Sequence, residues 1–170
     1  MLIPTRAQAD AFCGCPTTLY QRVAGILAPV ILLGSIVTIL ILWHTLPEQI
    51  PSHYNAAGEI DGYSGRGTLL LLPIIGLVTD LVVALVGRFP QSWNTGTRIN
   101  VLNRARVYRL VRDLMADLRV AMALLFGGLG LYLAHLPEHF GGWLFVPILL
   151  LLQIPILRYF LRLPRARRGL

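Results

Sequence analysis

The chain has no lysine and few charges of any kind. All 15 of its basic residues are arginines, and only 14% of its 170 residues are charged, against about 25% in soluble domains. With 55% hydrophobic residues, this composition excludes an ordinary soluble domain. Only two cysteines are present, which excludes a disulfide framework. Cys13 and Cys15 form a C-x-C pair that is too small to complete a zinc site alone.

Four long apolar stretches divide the chain, each close to the roughly 20 residues that a membrane-spanning helix needs. We expect spans from residue 23 to about 43, 68 to about 87, 120 to about 136 and 143 to about 161. The predicted fold class is therefore an all-α integral membrane protein with four transmembrane helices. They form a membrane domain, 23–162, between a tail at 1–22 and a basic tail at 163–170.

The arginines are distributed unevenly between the two sides of the predicted bundle. Only Arg66 lies in the first connection, 46–67; the others lie in the N-terminal tail, the connection 88–119 or the C-terminal end. Because short basic segments stay in the cytoplasm, we expect a bacterial inner-membrane protein with both termini cytoplasmic. Despite a pI near 10.3, the basic collar predicts contact with anionic lipids of the inner leaflet and no binding of nucleic acid.

The second half of the connection 88–119 has apolar residues at helical spacing. This pattern predicts a cytoplasmic amphipathic helix before the third span, with its arginines toward lipid headgroups. A plain helical extension of the third span fits the pattern equally well. The apolar residues are Val107, Leu110, Val111, Leu114, Met115 and Leu118, and the arginines on other faces are Arg104, Arg106, Arg109 and Arg112.

The most specific stretch is the outer loop 46–67, where prolines, glycines and polar residues alternate. Pro47 and Pro51 favour an extended start, and the loop glycines tolerate tight turns, so we expect a folded loop. Polar groups confined beside a membrane favour recognition of a ligand or partner. The candidate recognition residues are His53, Asn55, Gly58, Glu59, Asp61 and Arg66.

This loop resembles the extracytoplasmic motif of the bacterial SdpI immunity-protein family, and more closely the domain of unknown function at that family's N-terminus. The family pattern is Leu-Pro, then Ile-Pro-x-His, then Asn, Gly, Asp and a basic residue that is usually Lys. A Tyr-Arg-Leu element resembles one in short stand-alone members of the family. The matching residues are Leu46, Pro47, Ile50, Pro51, His53, Asn55, Gly58, Asp61 and Arg66, with Tyr108, Arg109 and Leu110.

The resemblance implies a membrane protein without established enzymatic activity or cofactor. The best-understood relatives protect a cell from a secreted peptide toxin and relay its presence by holding a repressor at the membrane. We therefore expect a non-catalytic SdpI-like protein, an immunity or signalling accessory, with a protein partner or in a homo-oligomer. The alternatives are a small structural subunit of a larger membrane complex, or a minor transporter that uses Asp80.

Asp80 is the one acidic residue inside a predicted span. An ionised carboxylate near mid-bilayer costs about 2.5–3.5 kcal/mol on insertion scales, so we expect its side chain to face the bundle or a water pocket. Thr79, Gln153 or Arg88 could satisfy it there. The residue is then a polar clamp between helices or a group in a transport path.

Histidines and carboxylates on the outer side are candidate metal ligands, because both suit zinc. The candidates are His53, Asp61, His135 and His139, although structural hydrogen bonding is the preferred interpretation and no metal is expected. Residues 135–139 also match an H-x-x-E-H metalloprotease pattern. Pro137 disfavours the continuous helix that this chemistry needs, so no protease is predicted.

A reporter fused after Leu170 tests the topology that the arginines predict. The fusion should be active only with a reporter that works in the cytoplasm, because basic flanking segments are retained there. Activity of a periplasmic reporter at the same position would overturn the predicted orientation.

Overall fold

The computed structural model of the chain describes residues 3–135 and 145–168. Short 3₁₀ turns at Leu42–His44, Arg66–Leu70 and Pro90–Ser92 border two of the helices. The other elements are five helices and two strands: α1 (Arg6–Cys13), α2 (Leu19–Ile41), β1 (Gln49–Tyr54), β2 (Ile60–Gly65), α3 (Leu71–Val86), α4 (Arg104–Ala134) and α5 (Phe145–Arg168).

Three helical segments of the described residues are long and apolar enough to cross a membrane. They are Leu19–His44, Arg66–Val86 and Arg104–Ala134, with mean hydropathies of 2.7, 2.7 and 1.7. The prediction of a mostly helical protein is confirmed, and three of the four predicted spans are candidate membrane spans by their length and composition. The fourth predicted span starts at residue 143, outside the described residues, and continues into α5. Its crossing of the membrane stays a prediction.

Two details of the predicted fold class need correction. The loop 46–67 contains the two-stranded antiparallel sheet β1–β2, so the chain is not all-α. In addition, α4 runs without interruption from Arg104 to Ala134, so the amphipathic segment and the third span are one helix. Arg112, which the periodicity placed toward headgroups, is only 9% exposed because it turns toward α1.

The N-terminal segment folds against the bundle. Thr5 with Gln8, and Thr18 with Gln21, form reciprocal capping boxes that start α1 and α2. Both cysteines are free and buried, in a cluster with Tyr108 of α4. Burial raises the pKa of Cys13 to about 11, so its thiol is protonated at neutral pH and is a poor metal ligand.

Asp10 attaches α1 to α4. Its carboxylate accepts hydrogen bonds from the backbone N–H and hydroxyl of Thr17, at 3.1 and 2.8 Å, and pairs with Arg112 at 2.7 Å. Burial acts to raise the pKa of Asp10, but the bonds from Thr17 and Arg112 outweigh burial and lower that pKa below 3.8. Because the folded-state pKa is depressed, this contribution to stability is present above the unfolded-state pKa and is lost as pH falls through the folded-state value.

Helix α4 is the centre of the bundle, in contact with α2, α3 and α5. Glycines allow the close approach of the helices, since small residues let backbones pack tightly in lipid. A Cβ on Gly76 of α3 would lie 2.6 Å from Leu32 and 2.8 Å from Phe126, and a Cβ on Gly130 would lie 3.2 Å from Pro73. The crossings between these helices therefore tolerate no larger side chain at Gly76.

Asp80 forms a two-point ion pair with Arg119 of α4. Nε of Arg119 lies 2.6 Å from one carboxylate oxygen and Nη2 lies 2.9 Å from the other. Nη2 also donates to the carbonyl of Gly25 in α2, at 3.2 Å. Arg119 was not among the partners that the sequence suggested for Asp80, which were Thr79, Gln153 and Arg88. The hydroxyl of Thr79 donates to the carbonyl of Ile75 in its own helix.

Further polar contacts join α4 to its neighbours at the same end of the bundle. Gln21 of α2 donates to Asp113 at 2.7 Å. Asp117 accepts from Tyr20 of α2 and pairs with Arg158 of α5 at 3.0 Å. These contacts and the two Asp–Arg pairs connect α4 to all four other described helices.

Replacing Asp80 tests the ion pair. Asp80→Leu should lower the free energy of unfolding in detergent by about 3–5 kcal/mol, because Arg119 is left buried without a counter-charge. Asp80→Asn should cost less, since its amide oxygen still accepts a hydrogen bond. Thermal unfolding is the measurement, with Thr79→Val as the neighbouring control. A charge swap, Asp80→Arg with Arg119→Asp, should recover part of the loss; a fully stable Asp80→Leu protein would refute the clamp.

Candidate functional site

The loop between α2 and α3 is an irregular β-hairpin. Its strands pair from Gln49 opposite Gly65 to Tyr54 opposite Ile60, with register shifts on both sides of His53. An extra residue in one strand disturbs the alternation of side chains. As a result, the consecutive residues Ser52 and His53 are both exposed.

The turn of the hairpin is built by three of the predicted site residues. The side-chain oxygen of Asn55 accepts from the backbone N–H of Ala57 and of Glu59, at 2.9 and 3.0 Å. Its amide nitrogen donates to the Glu59 carboxylate at 3.0 Å. Gly58 has φ +84°, a left-handed conformation that glycine adopts without strain. Asn55, Gly58 and Glu59 therefore determine the shape of the turn.

The hairpin is packed on the ends of the membrane helices. Ile50 of β1 is 2% exposed and packs in one apolar cluster with Leu46 and with Ile39 of α2. Leu69, before α3, and Ala134, at the end of α4, complete that cluster. Since the cluster draws on all three candidate spans, it fixes the hairpin relative to the bundle.

Arg66 fixes the base of the hairpin. One of its guanidinium nitrogens donates to the carbonyls of Trp43 and Leu46, at 3.2 and 3.3 Å. The guanidinium carbon also lies 5.0 Å from the centre of the Trp43 ring, within cation–π range. These contacts are structural, so recognition by Arg66 itself stays a prediction.

His53 and Asp61 face each other across the hairpin. Nδ1 of His53 lies 2.5 Å from a carboxylate oxygen of Asp61, and their side chains are 73% and 41% exposed. Because a carboxylate only accepts hydrogen bonds, Nδ1 carries the proton. In the neutral form of the ring Nε2 is an acceptor, and the second carboxylate oxygen of Asp61 can accept another bond.

Neighbouring groups extend this exposed surface. Tyr63 is 62% exposed, and Ser64 donates to Ser52 at 2.8 Å. Tyr54 turns inward, and burial, followed by the proximity of Tyr132 and Tyr63, raises its pKa. The residues His53, Asp61 and Tyr63 thus form an exposed patch, which we call the hairpin patch.

The metal candidates are only partly described. His139 lies outside the described residues, and Nδ1 of His135 donates to the carbonyl of Leu131 at 2.8 Å. Within residues 3–135 and 145–168, no three His, Cys, Asp or Glu side chains lie close enough together to hold an ion. His53 and Asp61 alone would supply two ligands, fewer than structural zinc sites use.

Comparisons with known proteins match the segment of the chain that contains the hairpin. A model described as "Domain of unknown function (DUF1648)" matches residues 30–77, from the middle of α2 through the hairpin into α3. An uncharacterized protein of Archaeoglobus fulgidus is 38% identical over 63 residues, which are 32% of this chain and 34% of that protein. The chain thus matches about a third of that relative's length. No solved structure matches the chain.

The sequence singled out the turn residues, His53, Asp61 and Arg66 as candidate recognition residues. It predicted neither the contact between His53 and Asp61 nor the apolar groups that dock the hairpin. Ile50 was noted only as part of the family motif, and Trp43 was not assigned to the hairpin. Their signal is weak because an apolar residue in a short loop looks the same whether it packs on helices or faces lipid. The inward position of Ile50 follows only from the pairing of β1 with β2, which the sequence did not predict.

Arg66 offers a test of how the hairpin is fixed. Arg66→Ala should speed hydrogen exchange in β1 and β2, because it removes two hydrogen bonds to carbonyls and the contact with Trp43. Arg66→Lys should restore protection in part, since an ammonium group can still donate to a carbonyl. Exchange in α4 serves as the internal control. Unchanged protection of the hairpin in Arg66→Ala would contradict the structural role.

Proposed function

We propose that the chain is a non-catalytic integral membrane protein that recognises a partner through its extracytoplasmic hairpin. The observation that carries this proposal is the contrast within the hairpin. Ile50 and Arg66 fix its base to the bundle, whereas His53, Asp61 and Tyr63 are exposed. A held backbone that presents polar and aromatic groups is pre-organised, which lowers the entropic cost of binding.

The chemistry of the hairpin patch favours a peptide or protein partner. Tyr63 supplies aromatic contact area, while His53 and Asp61 supply directional acceptors. Tyrosines are enriched in protein interfaces, and the patch lies on a hairpin rather than in a deep cleft. An SdpI-like role in immunity or signalling is consistent with such a partner.

The orientation within the proposal follows from the arginines. The described end opposite the hairpin carries Arg88, Arg112, Arg158 and their neighbours, which supports the proposal that the hairpin lies outside and both termini lie inside. Because the matched relative is archaeal, we propose the broader location, a prokaryotic cytoplasmic membrane. The bacterial inner membrane stays a prediction.

A second candidate function is that of an accessory subunit, which a groove between α4 and α5 favours. Its cavity of about 320 Å³ is lined by Leu125, Gly128, Leu129, Pro147 and Leu151, among others. Among the described residues, nothing lies within 4 Å of a Cβ built on Gly128, so no described side chain covers this small residue. Small residues at a helix surface suit docking of another helix in lipid.

The transporter alternative is weakened by the ion pair. Both carboxylate oxygens of Asp80 are engaged by Arg119. A transport group would have to release that guanidinium before it could bind a proton or an ion.

The recognition role can be tested with a photoreactive side chain in place of Tyr63. In native membranes this probe should form a discrete adduct, and His53→Ala with Asp61→Ala should reduce its yield about tenfold, equivalent to about 1.4 kcal/mol of binding. The matched control is Ser52→Ala with Ser64→Ala, which removes a hydrogen-bonded pair from the same hairpin. The adduct should survive a chelator, since the patch supplies too few ligands for a structural ion.

Two outcomes would contradict recognition by the patch. One is an equal yield of adduct in the wild type and the His53/Asp61 double variant. The other is equal loss in both double variants together with faster hydrogen exchange in β1 and β2. That second result would mean that the pair only stabilises the hairpin.

A further inference from the structure

A cationic cavity lies at the end of the bundle opposite the hairpin. It is an open cleft of about 110 Å³ between α1, α2, α3 and α4. Four arginines line it: Arg6 of α1, Arg88 after α3, and Arg112 and Arg119 of α4. Arg112 and Arg119 are seven residues apart, so they lie on the same face of α4.

The arginines exceed the acidic groups paired with them. Asp10 pairs with Arg112, and Asp80 pairs with Arg119. Arg88 donates to the carbonyl of Pro4 at 3.3 Å, and among the described residues neither Arg6 nor Arg88 pairs with a carboxylate. Two positive charges are therefore uncompensated around this small space, and arginine does not lose its charge by deprotonation.

Hydrogen-bond donors remain available in the cavity. A guanidinium has five N–H groups. Arg119 uses Nε and Nη2 for Asp80 and Gly25, and its Nη1 donates to no described residue. No buried side-chain polar atom of the described residues lacks a partner, so Nη1 reaches open space. Thr17 and Gln21 add polar groups to the lining.

The size of the cavity selects the kind of anion. It is several times the roughly 30 Å³ of one water, but smaller than the roughly 300–1,000 Å³ of pockets for drug-sized ligands. A phosphate group matches both the volume and the fork geometry of arginine.

The cavity lies where the headgroup of a membrane lipid would be expected. Asp80 lies six residues before the end of α3 at Val86, which is about 9 Å along the helix axis. Val83 and Ala84 form one wall, and the adjacent Leu85 and Val86 are 44% and 42% exposed. The phosphate of an anionic lipid could enter while its acyl chains lie along these residues. Basic pockets between transmembrane helices bind such headgroups.

We infer that this cavity is a phosphate-binding site that takes the headgroup of one anionic lipid. The site is separate from the hairpin patch and does not depend on the proposed function. In this site, Arg112 and Arg119 hold helices together and present spare hydrogen-bond donors. Arg6 and Arg88 supply the excess positive charge.

The test measures lipid binding to the purified full chain in a neutral detergent. Phosphatidylglycerol should bind at one molecule per chain by native mass spectrometry and raise the melting temperature, whereas phosphatidylcholine should do neither. Arg6→Gln with Arg88→Gln should weaken phosphatidylglycerol binding about tenfold or more, as expected from loss of charge-assisted hydrogen bonds. The matched control, Arg165→Gln with Arg167→Gln, removes the same charge from the end of α5 and should bind as the wild type does.

A further variant and a further ligand distinguish the possible causes of a loss of lipid binding. Ala84→Leu should also weaken binding, because it fills the cavity without changing the charge, so the test does not depend on the folding of the arginine variant. Inorganic phosphate at millimolar concentration distinguishes the source of the group. If it protects the wild type as well as the lipid does, the site binds soluble phosphate. Equal lipid binding by the wild type and both cavity variants, or equal loss in the α5 control, would overturn the inference.

Discussion

The ion pair between Asp80 and Arg119 is the constraint on which the arrangement of the helices depends. A carboxylate in a spanning helix is costly unless it is paired, and this one is paired through both oxygens. The pair fixes the rotation and the height of α3 against α4, and the bond from Arg119 to Gly25 adds α2. The close crossing of α2, α3 and α4 at Gly76 adds a second constraint on the same three helices. The same helix face then directs Arg112 toward α1.

The two ends of the bundle are held by different physics. At the arginine-rich end, polar contacts to Asp10, Asp80, Asp113 and Asp117 join α4 to every other described helix. At the hairpin end, an apolar cluster around Ile50 does the equivalent work. Buried ion pairs require defined geometry to offset desolvation, whereas apolar packing tolerates small shifts.

Much of the membrane framework could be predicted from the sequence, because long apolar runs and helical periodicity are local signals. The three described spans and the folded character of the loop follow from such signals. The hairpin itself could not be predicted: Pro51 in β1, Gly62 and Gly65 in β2, and the bulge beside His53 obscure the alternation of a strand. Arg119 could not be recognised as the partner of Asp80 either. Its position after a basic segment looks the same whether it faces headgroups or a neighbouring helix.

The loop motif divides into two groups of residues once the structure is known. Ile50, Asn55, Gly58 and Arg66 are occupied with docking the hairpin or shaping its turn. Any protein that retains this hairpin would need such residues, so their presence indicates a shared structure rather than a shared partner. His53 and Asp61 are different, because they are exposed and bond mainly to each other. An exposed polar pair contributes little to stability, so this pair is the part of the motif on which the proposed recognition role rests.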